Sequence, residues 1–406
     1  MVAAFRSLVC VLGGAAIPGF RYGVLGAGRQ GTAAGYDLLV RGDAEEVVLG
    51  DVDPRRAEES AERINRIAGS NGARGVRVDA SDRHEVVGFL GPLDAFVSAA
   101  SWRLNPGLSR AALDARTHMC DLGGNARVVR GQLDLDEEAR DRGVSIVPDC
   151  GEAPGLANNL LAYGLTLLDR TDELLLLDGG LPADPTPPWN YMLTFNVDGL
   201  TTEYDGNTTW LVDGELVEVE CLDPETYELV EFEPPLGTLE AFAAATGSTT
   251  PWSFRGRVRS LRAKVLRYPG HFAQFRAFRD LGLFSEEPVE AAGASIAPRD
   301  VFHALLDPRI RATQGAHDVV VARVVGGGET GGRPAEAVVD LRVDPDDRLG
   351  FTAMERATGW HAAIVCHLMA SGAIESGATP VELAVDPGLM VAELRRRGFD
   401  LTERVC

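Results

Sequence analysis

Short apolar runs and amphipathic stretches alternate regularly between residues 22 and 148. The runs at 22–25, 47–50, 75–78, 95–99, 118–122 and 144–148 are apolar on both faces, as the strands of a parallel sheet covered by helices on both sides must be. Between them, segments such as 55–67 and 106–115 place charges on one side and Ala, Leu or Ile on the other at helical spacing. This pattern predicts one doubly wound α/β domain over residues 21–150. After Pro154-Gly155 the pattern changes. A helix at 156–168 leads into strands at 173–177 and 190–197, then into a hairpin in which Asp213-Gly214 separates 209–212 from 215–220. A glycine-rich turn at 326–334 divides strands at 318–325 and 335–343, and helices are expected at 358–371 and 387–397. The expected architecture is α/β: an N-terminal extension (1–20), a Rossmann domain (21–150), an α+β substrate and oligomerisation domain (151–350), and C-terminal helices (351–406) that return to the Rossmann domain.

Charge narrows the partners. With 39 basic against 60 acidic residues the net charge is −21, which repels phosphate backbones and anionic lipid surfaces, so neither nucleic acid nor a membrane is an expected partner. Lys264 is the only lysine; an acidic, Arg-based surface suits a salt-rich cytoplasm, and a GC-rich genome would equally favour Arg. The six cysteines are scattered, without CxxC or zinc-finger spacing, which reads as reduced thiols in a cytoplasm and no metal site. The first residues, one Arg before an apolar run, imitate a signal peptide. The first strand follows at once, so a dispensable leader up to about Gly19 is expected rather than export.

The strongest local motif is Gly26-Ala27-Gly28-Arg29-Gln30-Gly31, a GxGxxG that follows an apolar strand and opens a helix. Such glycines allow a tight turn, close approach of backbone N–H groups to a pyrophosphate, and tight helix–strand packing. Asp51 ends the next strand, where a carboxylate accepts from the adenosine ribose hydroxyls and repels a 2′-phosphate. NAD is therefore the expected cofactor, with NADP open because Arg55 and Arg56 follow. Asp53, before Pro54, is expected to cap the next helix. Ser98 and Ala99 end the fourth strand at the edge where a cofactor lies in an open α/β sheet. The fifth strand ends in Asp121-Leu122-Gly123-Gly124-Asn125 and the sixth in Pro148-Asp149-Cys150-Gly151-Glu152. Two polar, glycine-rich turns on one edge imply a reaction site, although Asp149 and Glu152 also suit the role of helix caps.

The fingerprint, DLGGN at 121–125, PDCGEAPG at 148–155, GGLP at 179–182, RYPGH at 267–271 and TGW at 358–360 together resemble the lysine 6-dehydrogenase branch of the saccharopine dehydrogenase family, from about residue 21 to about 397. That resemblance implies a nicotinamide-dependent enzyme, a homodimer or larger homo-oligomer, and an amino acid as its small-molecule substrate. The implied reaction is oxidative deamination of L-lysine at the 6-amino group; saccharopine-type cleavage of a secondary amine is the alternative, and a non-catalytic redox sensor the second. Glu152 stands where the family suggests a small or apolar residue. Within this frame Arg267 and Glu152 are expected to hold substrate, with Asp121, Lys264 and His271 serving the chemistry. Arg offers a planar fork for a carboxylate, Lys a cation whose pKa burial can move, and His a proton acceptor. Ion pairing for the cations and capping of a helix at 271–281 by His271 are the alternatives.

Overall fold

The computed structural model describes residues 19–313 and 315–406; all but the end of the expected extension, and with it the dispensable leader, lies outside the described residues. The six apolar runs form β1 (Phe20–Leu25), β2 (Ala44–Asp51), β3 (Ala73–Arg77), β4 (Ala95–Ser98), β5 (His118–Asp121) and β6 (Ser145–Val147). They pair in parallel in the order β6-β5-β4-β1-β2-β3. Alternate residues feed two separate cores: Val24, Leu49 and Val97 on one face, Leu25, Val48 and Phe96 on the other. Double burial is why β1, β2 and β4 carry apolar runs, each such side chain stabilising the fold by about 1.5–3 kcal/mol, whereas the edge strand β3 exposes Arg74 and Arg77.

The second domain carries β7 (Arg170–Pro182), β8 (Asn207–Val212), β9 (Glu215–Glu220), β10 (Glu228–Phe232), β11 (Gly237–Ala243), β12 (Ser260–Arg267), β13 (Val289–Ala291), β14 (Ala294–Ile296), β15 (Asp318–Thr330) and β16 (Arg333–Val343). The last strands are β17 (Gly377–Ala378) and β18 (Asp400–Val405). One mixed sheet runs β10-β11-β12-β7-β15-β16-β18, with β8 and β9 branching from β12. β7 and β12 are parallel and their outer neighbours antiparallel. Asp213 and Gly214, both at positive φ, make the tight β8–β9 turn.

Three expectations are corrected. No strand forms at 190–197: the Asn196 side chain accepts from the Gly199 N–H at 2.6 Å and starts a helix at Val197–Tyr204, a cap outweighing the β-propensity of the residues before it. The glycines at 326–328 lie inside β15, and the turn is at Gly331-Gly332. Gly328 is required there because a Cβ would fall 1.9 Å from the Arg170 carbonyl oxygen. The C-terminal segment is not only helical: β17 extends the Rossmann sheet beside β6, and β18 pairs with β16. Ahead of both strands in the chain, the His361–Ala370 helix packs on β4 and β5. Gly359 lets the preceding turn approach the Arg29–Arg41 helix, its Cβ position being 2.8 Å from the Gln30 carbonyl oxygen. A buried Arg397–Asp37 ion pair, Nη2 to Oδ2 at 2.7 Å, fastens the segment to that helix.

Candidate active site

The glycine motif bends the chain from β1 into the Arg29–Arg41 helix. Gly26 has φ +99° and a Cβ there would meet the Ala99 oxygen at 2.6 Å, while one on Gly31 would meet the Gly26 oxygen at 1.9 Å. Gly28 faces open space. Two glycines are thus demanded by the protein's own packing, and the third leaves room for a ligand's close approach to backbone. The helix begins at Gly28 without a side-chain cap or an acidic first turn, and both polar atoms of the buried Gln30 amide lack a partner among the described residues. An N-terminus of this kind suits a dinucleotide pyrophosphate. Asp51 accepts from the Ala27 N–H at 2.9 Å and the Asp53 N–H at 3.0 Å, so it also braces the loop. Asp53 caps the Pro54–Ala68 helix. Arg29 points elsewhere, its Nε donating to Glu355 at 2.7 Å. Ser98 is a packing residue, its hydroxyl bonded to the buried Asn105 at 2.8 Å, and Ala99 serves through its backbone, which crowds Gly26.

At the carboxyl ends of β5 and β6 two carboxyl groups behave differently. Asp121 is fully engaged: Oδ1 accepts from the N–H groups of Gly123 (2.8 Å) and Asp149 (3.3 Å), and Oδ2 from Gln132 at 2.7 Å. Burial raises its pKa to about 6 against those bonds. It braces the two turns and has no oxygen left over for chemistry. Asp149, 1% exposed and at φ +60°, accepts from the Ser248 hydroxyl through Oδ2. Its Oδ1 has no partner among the described residues and occupies the space above Gly123, whose ideal Cβ would lie 2.2 Å from it. Burial is the main force raising Asp149 to about 8, with Ser248 opposing and Asp121 adding.

A second buried polar network surrounds Arg267. Arg267, 4% exposed at the end of β12, donates from Nη2 to Glu203 at 2.7 Å, from Nε to the Tyr204 hydroxyl at 2.7 Å and from Nη1 to the Leu266 carbonyl at 2.9 Å. His271 Nε2 meets the same hydroxyl at 3.0 Å, and its ring stacks on Phe275 at 4.1 Å. Glu152 and Asp178 adjoin the network; Glu152 Oε1 and Asp178 Oδ1 lack partners among the described residues. Burial, then Asp178 and Glu203, pushes Glu152 well above the usual carboxyl range, and burial with Glu203 raises Asp178 to about 8. Burial and the nearby Arg267 cation push His271 well below the ordinary imidazole value, so its ring is neutral at working pH.

The structure therefore brings Glu152, Arg267 and His271 together and leaves Lys264 out. Odd and even positions of a strand face opposite ways: Lys264 lies on the other face of β12, its Nζ bonded to the Thr226 carbonyl and Glu228 Oε1, both at 2.7 Å. Arg267 is committed to Glu203 and Tyr204 and has no free fork for a substrate carboxylate. Asn125 spends Oδ1 on the N–H groups of Arg127 and Val128, capping the Ala126–Leu133 helix. Sequence reasoning missed Glu203, Tyr204 and Asp178, and placed Asp149 in a reaction-site turn, with helix capping as the alternative, without giving it a role of its own. One signal was present: Asp178 interrupts an otherwise apolar run, Leu174 to Leu177. Among the described residues no group of His, Cys, Asp or Glu could hold a metal ion, and no helix is long and apolar enough to cross a membrane.

Comparison with known proteins agrees with this layout. Residues 22–147 match the family model described as saccharopine dehydrogenase NADP binding domain, and residues 151–399 the one described as saccharopine dehydrogenase C-terminal domain. Among solved structures, the apo saccharopine dehydrogenase (L-Glu forming) from Saccharomyces cerevisiae is similar, with a TM-score of 0.75 at 18% identity, covering 96% of this chain and 100% of that one. A looser similarity is to a probable dehydrogenase from Thermotoga maritima, TM-score 0.41 at 14% identity over 94% of this chain and 98% of that one. With both halves matched, the chain belongs to the saccharopine dehydrogenase family of oxidoreductases.

Proposed function

We propose that the protein is an NAD-dependent amino acid dehydrogenase that oxidises L-lysine at its 6-amino group, giving 2-aminoadipate 6-semialdehyde and ammonia. The observation that carries this reading is the Asp149 carboxyl, buried above Gly123 with one oxygen unpartnered and its pKa raised to about 8. A general base for an ammonium group works best when its pKa lies near the operating pH. Bound NAD supplies the hydride acceptor. Asp149 takes a proton from the substrate ammonium, and the freed amine lone pair then assists departure of hydride from C6. Water adds to the resulting iminium and ammonia leaves, so one amine is exchanged for one carbonyl and two electrons leave with the hydride. The one guanidinium of the Arg267 network is already paired and offers no fork to a carboxylate, whereas Glu152 and Asp178 keep unpartnered oxygens that can accept from an amine.

Asp51 favours NAD, since a carboxylate at the end of β2 accepts from ribose hydroxyls and repels a 2′-phosphate. The reading is tested by following nicotinamide reduction with L-lysine, saccharopine, L-ornithine and other amino acids, each with NAD and NADP. Reduction of NAD by L-lysine is expected. Turnover of saccharopine in its place would keep the fold and replace the reaction, and silence across the panel would leave a dinucleotide-binding sensor.

A further inference from the structure

A cavity of about 440 Å³ lies between the two domains, against the carboxyl ends of β4 and β5. Trp102, Arg103 and Asn125 line it from the Rossmann side, and Asp205, Glu286 and Arg299 from the other. Its polar groups are arranged in two sets. On the Rossmann side, the buried Trp102 Nε1–H has no acceptor among the described residues, Asn125 has spent its oxygen on a helix cap and keeps its amide hydrogens, and the Arg103 guanidinium lies 4.3 Å from the Trp102 ring centroid. On the opposite side are carboxylates. Arg299 donates to Asp205 at 2.5 Å and Glu286 at 2.7 Å, yet those side chains remain 45% and 63% exposed and keep lone pairs for a ligand. Arg103 bridges the domains, bonded to Asp198 at 2.5 Å, with Glu286 at 3.6 Å.

Two cations, Arg103 and Arg299, thus face three anions, Asp198, Asp205 and Glu286. A simple anion would satisfy Trp102 and Asn125 but meet Asp205 and Glu286; a simple cation would suit the carboxylates and leave the indole N–H unpaired. The geometry points to a subsite for the zwitterionic head of an α-amino acid, its carboxylate on Trp102, Asn125 and Arg103 and its ammonium on Glu286 and Asp205. This assignment rests on the amino acid dehydrogenase reading above and adds the end of the substrate that does not react. It also explains why a distal amine is oxidised. Trp102 packs on Gly124, 3.2 Å from that residue's ideal Cβ, and the adjacent Gly123 lies under the Asp149 carboxyl. A head group held in the cavity sends its side chain across Gly123-Gly124, so the amine that reaches Asp149 is the one at the far end.

Calorimetric titration of the full-length protein saturated with NADH separates this subsite from turnover. The probes are L-lysine, L-norleucine (the head without the distal amine), 6-aminohexanoate (no α-amino group) and 1,5-diaminopentane (no carboxylate). L-Norleucine is expected to bind within about tenfold of L-lysine, and the last two at least about tenfold more weakly. Trp102→Phe and, independently, the exposed Glu286→Gln should each weaken L-lysine and L-norleucine by about five- to thirtyfold; Trp102→Phe should leave 1,5-diaminopentane unchanged, Glu286→Gln should leave 6-aminohexanoate unchanged, and neither should alter NADH binding. If 1,5-diaminopentane binds as well as L-lysine while L-norleucine does not bind, or if both variants bind L-norleucine like the wild type, the subsite is wrong. L-Norleucine binding in a protein that does not oxidise L-lysine would keep the subsite and overturn the proposed reaction instead.

Discussion

Replacing Asp149 with Asn probes the site most sharply, because the two side chains have the same shape and both can accept from Ser248. Burial raises the Asp149 pKa from an ordinary 3.8 to about 8, with Asp121 and Glu382 adding and Ser248 opposing. In the folded protein at pH 7 the group therefore holds a proton that the unfolded chain has lost. A carboxyl whose folded pKa is raised contributes most favourably below about pH 4, and that contribution declines as pH rises to about 8 and then levels off. At about 1.4 kcal/mol per pKa unit the full span is on the order of 6 kcal/mol as an upper limit. Asn carries no such proton, so Asp149→Asn should match the wild type in stability near pH 4 and exceed it by up to several kcal/mol at pH 8, as read by urea unfolding across that range. Activity should move the other way. The wild-type kcat/KM should rise with pH through a limb near 8 as the base ionises; Asp149→Asn should lose the limb and about a hundred- to ten-thousandfold in kcat. Asp178 also titrates near 8, so Asp178→Asn is the control and should retain the limb. Wild-type kcat in Asp149→Asn with the limb intact, or a stability difference equal at pH 4 and pH 8, would refute the reasoning.

Asp51→Ser should narrow the preference for NAD over NADP; a wild type that already prefers NADP, or unchanged affinities, would remove Asp51 from that role. Gly123→Ala places a Cβ 2.2 Å from Asp149 Oδ1 at φ +76° and should cost about 1–2 kcal/mol of stability while abolishing turnover, with NAD binding retained. Arg267→Ala leaves Glu203, Glu152 and Asp178 buried without their cation and should destabilise by about 3–5 kcal/mol. Lys264→Ala, which removes a contact on the opposite face of β12, should leave kcat unchanged; denaturation and steady-state kinetics on the pair check both statements.

The Rossmann half was legible because its sequence constraints are local. Gly26 and Gly31 answer to backbone atoms a few residues or one strand away, and strands buried on both faces must read as apolar runs. The second half was less legible. A side-chain cap at Asn196 turned an apparent strand into the approach to a helix, and β18 is an edge strand whose partner, β16, lies far back in the chain. Within the site, Glu152, Arg267 and His271 could be found by motif, but their roles depend on what they touch. Arg267 reads as a carboxylate anchor until Glu203 and Tyr204, more than sixty residues upstream, are seen to occupy it. Lys264 could have been separated from Arg267 by strand alternation alone. Asp149 stays undecided between a reaction-site turn and a helix cap, because neither its positive φ nor the glycine beneath its free oxygen is visible before the chain folds.

The proposed reaction turns on hydride removal from the carbon bearing the distal amine. The most direct measurement supplies L-lysine carrying deuterium only at C6, together with NAD, and follows the reduced nicotinamide by mass spectrometry while assaying ammonia. One deuterium transferred per turnover, with an equal amount of ammonia released, is the predicted result. Reduced cofactor without deuterium, or no reduction by L-lysine under conditions where saccharopine is oxidised, would contradict it.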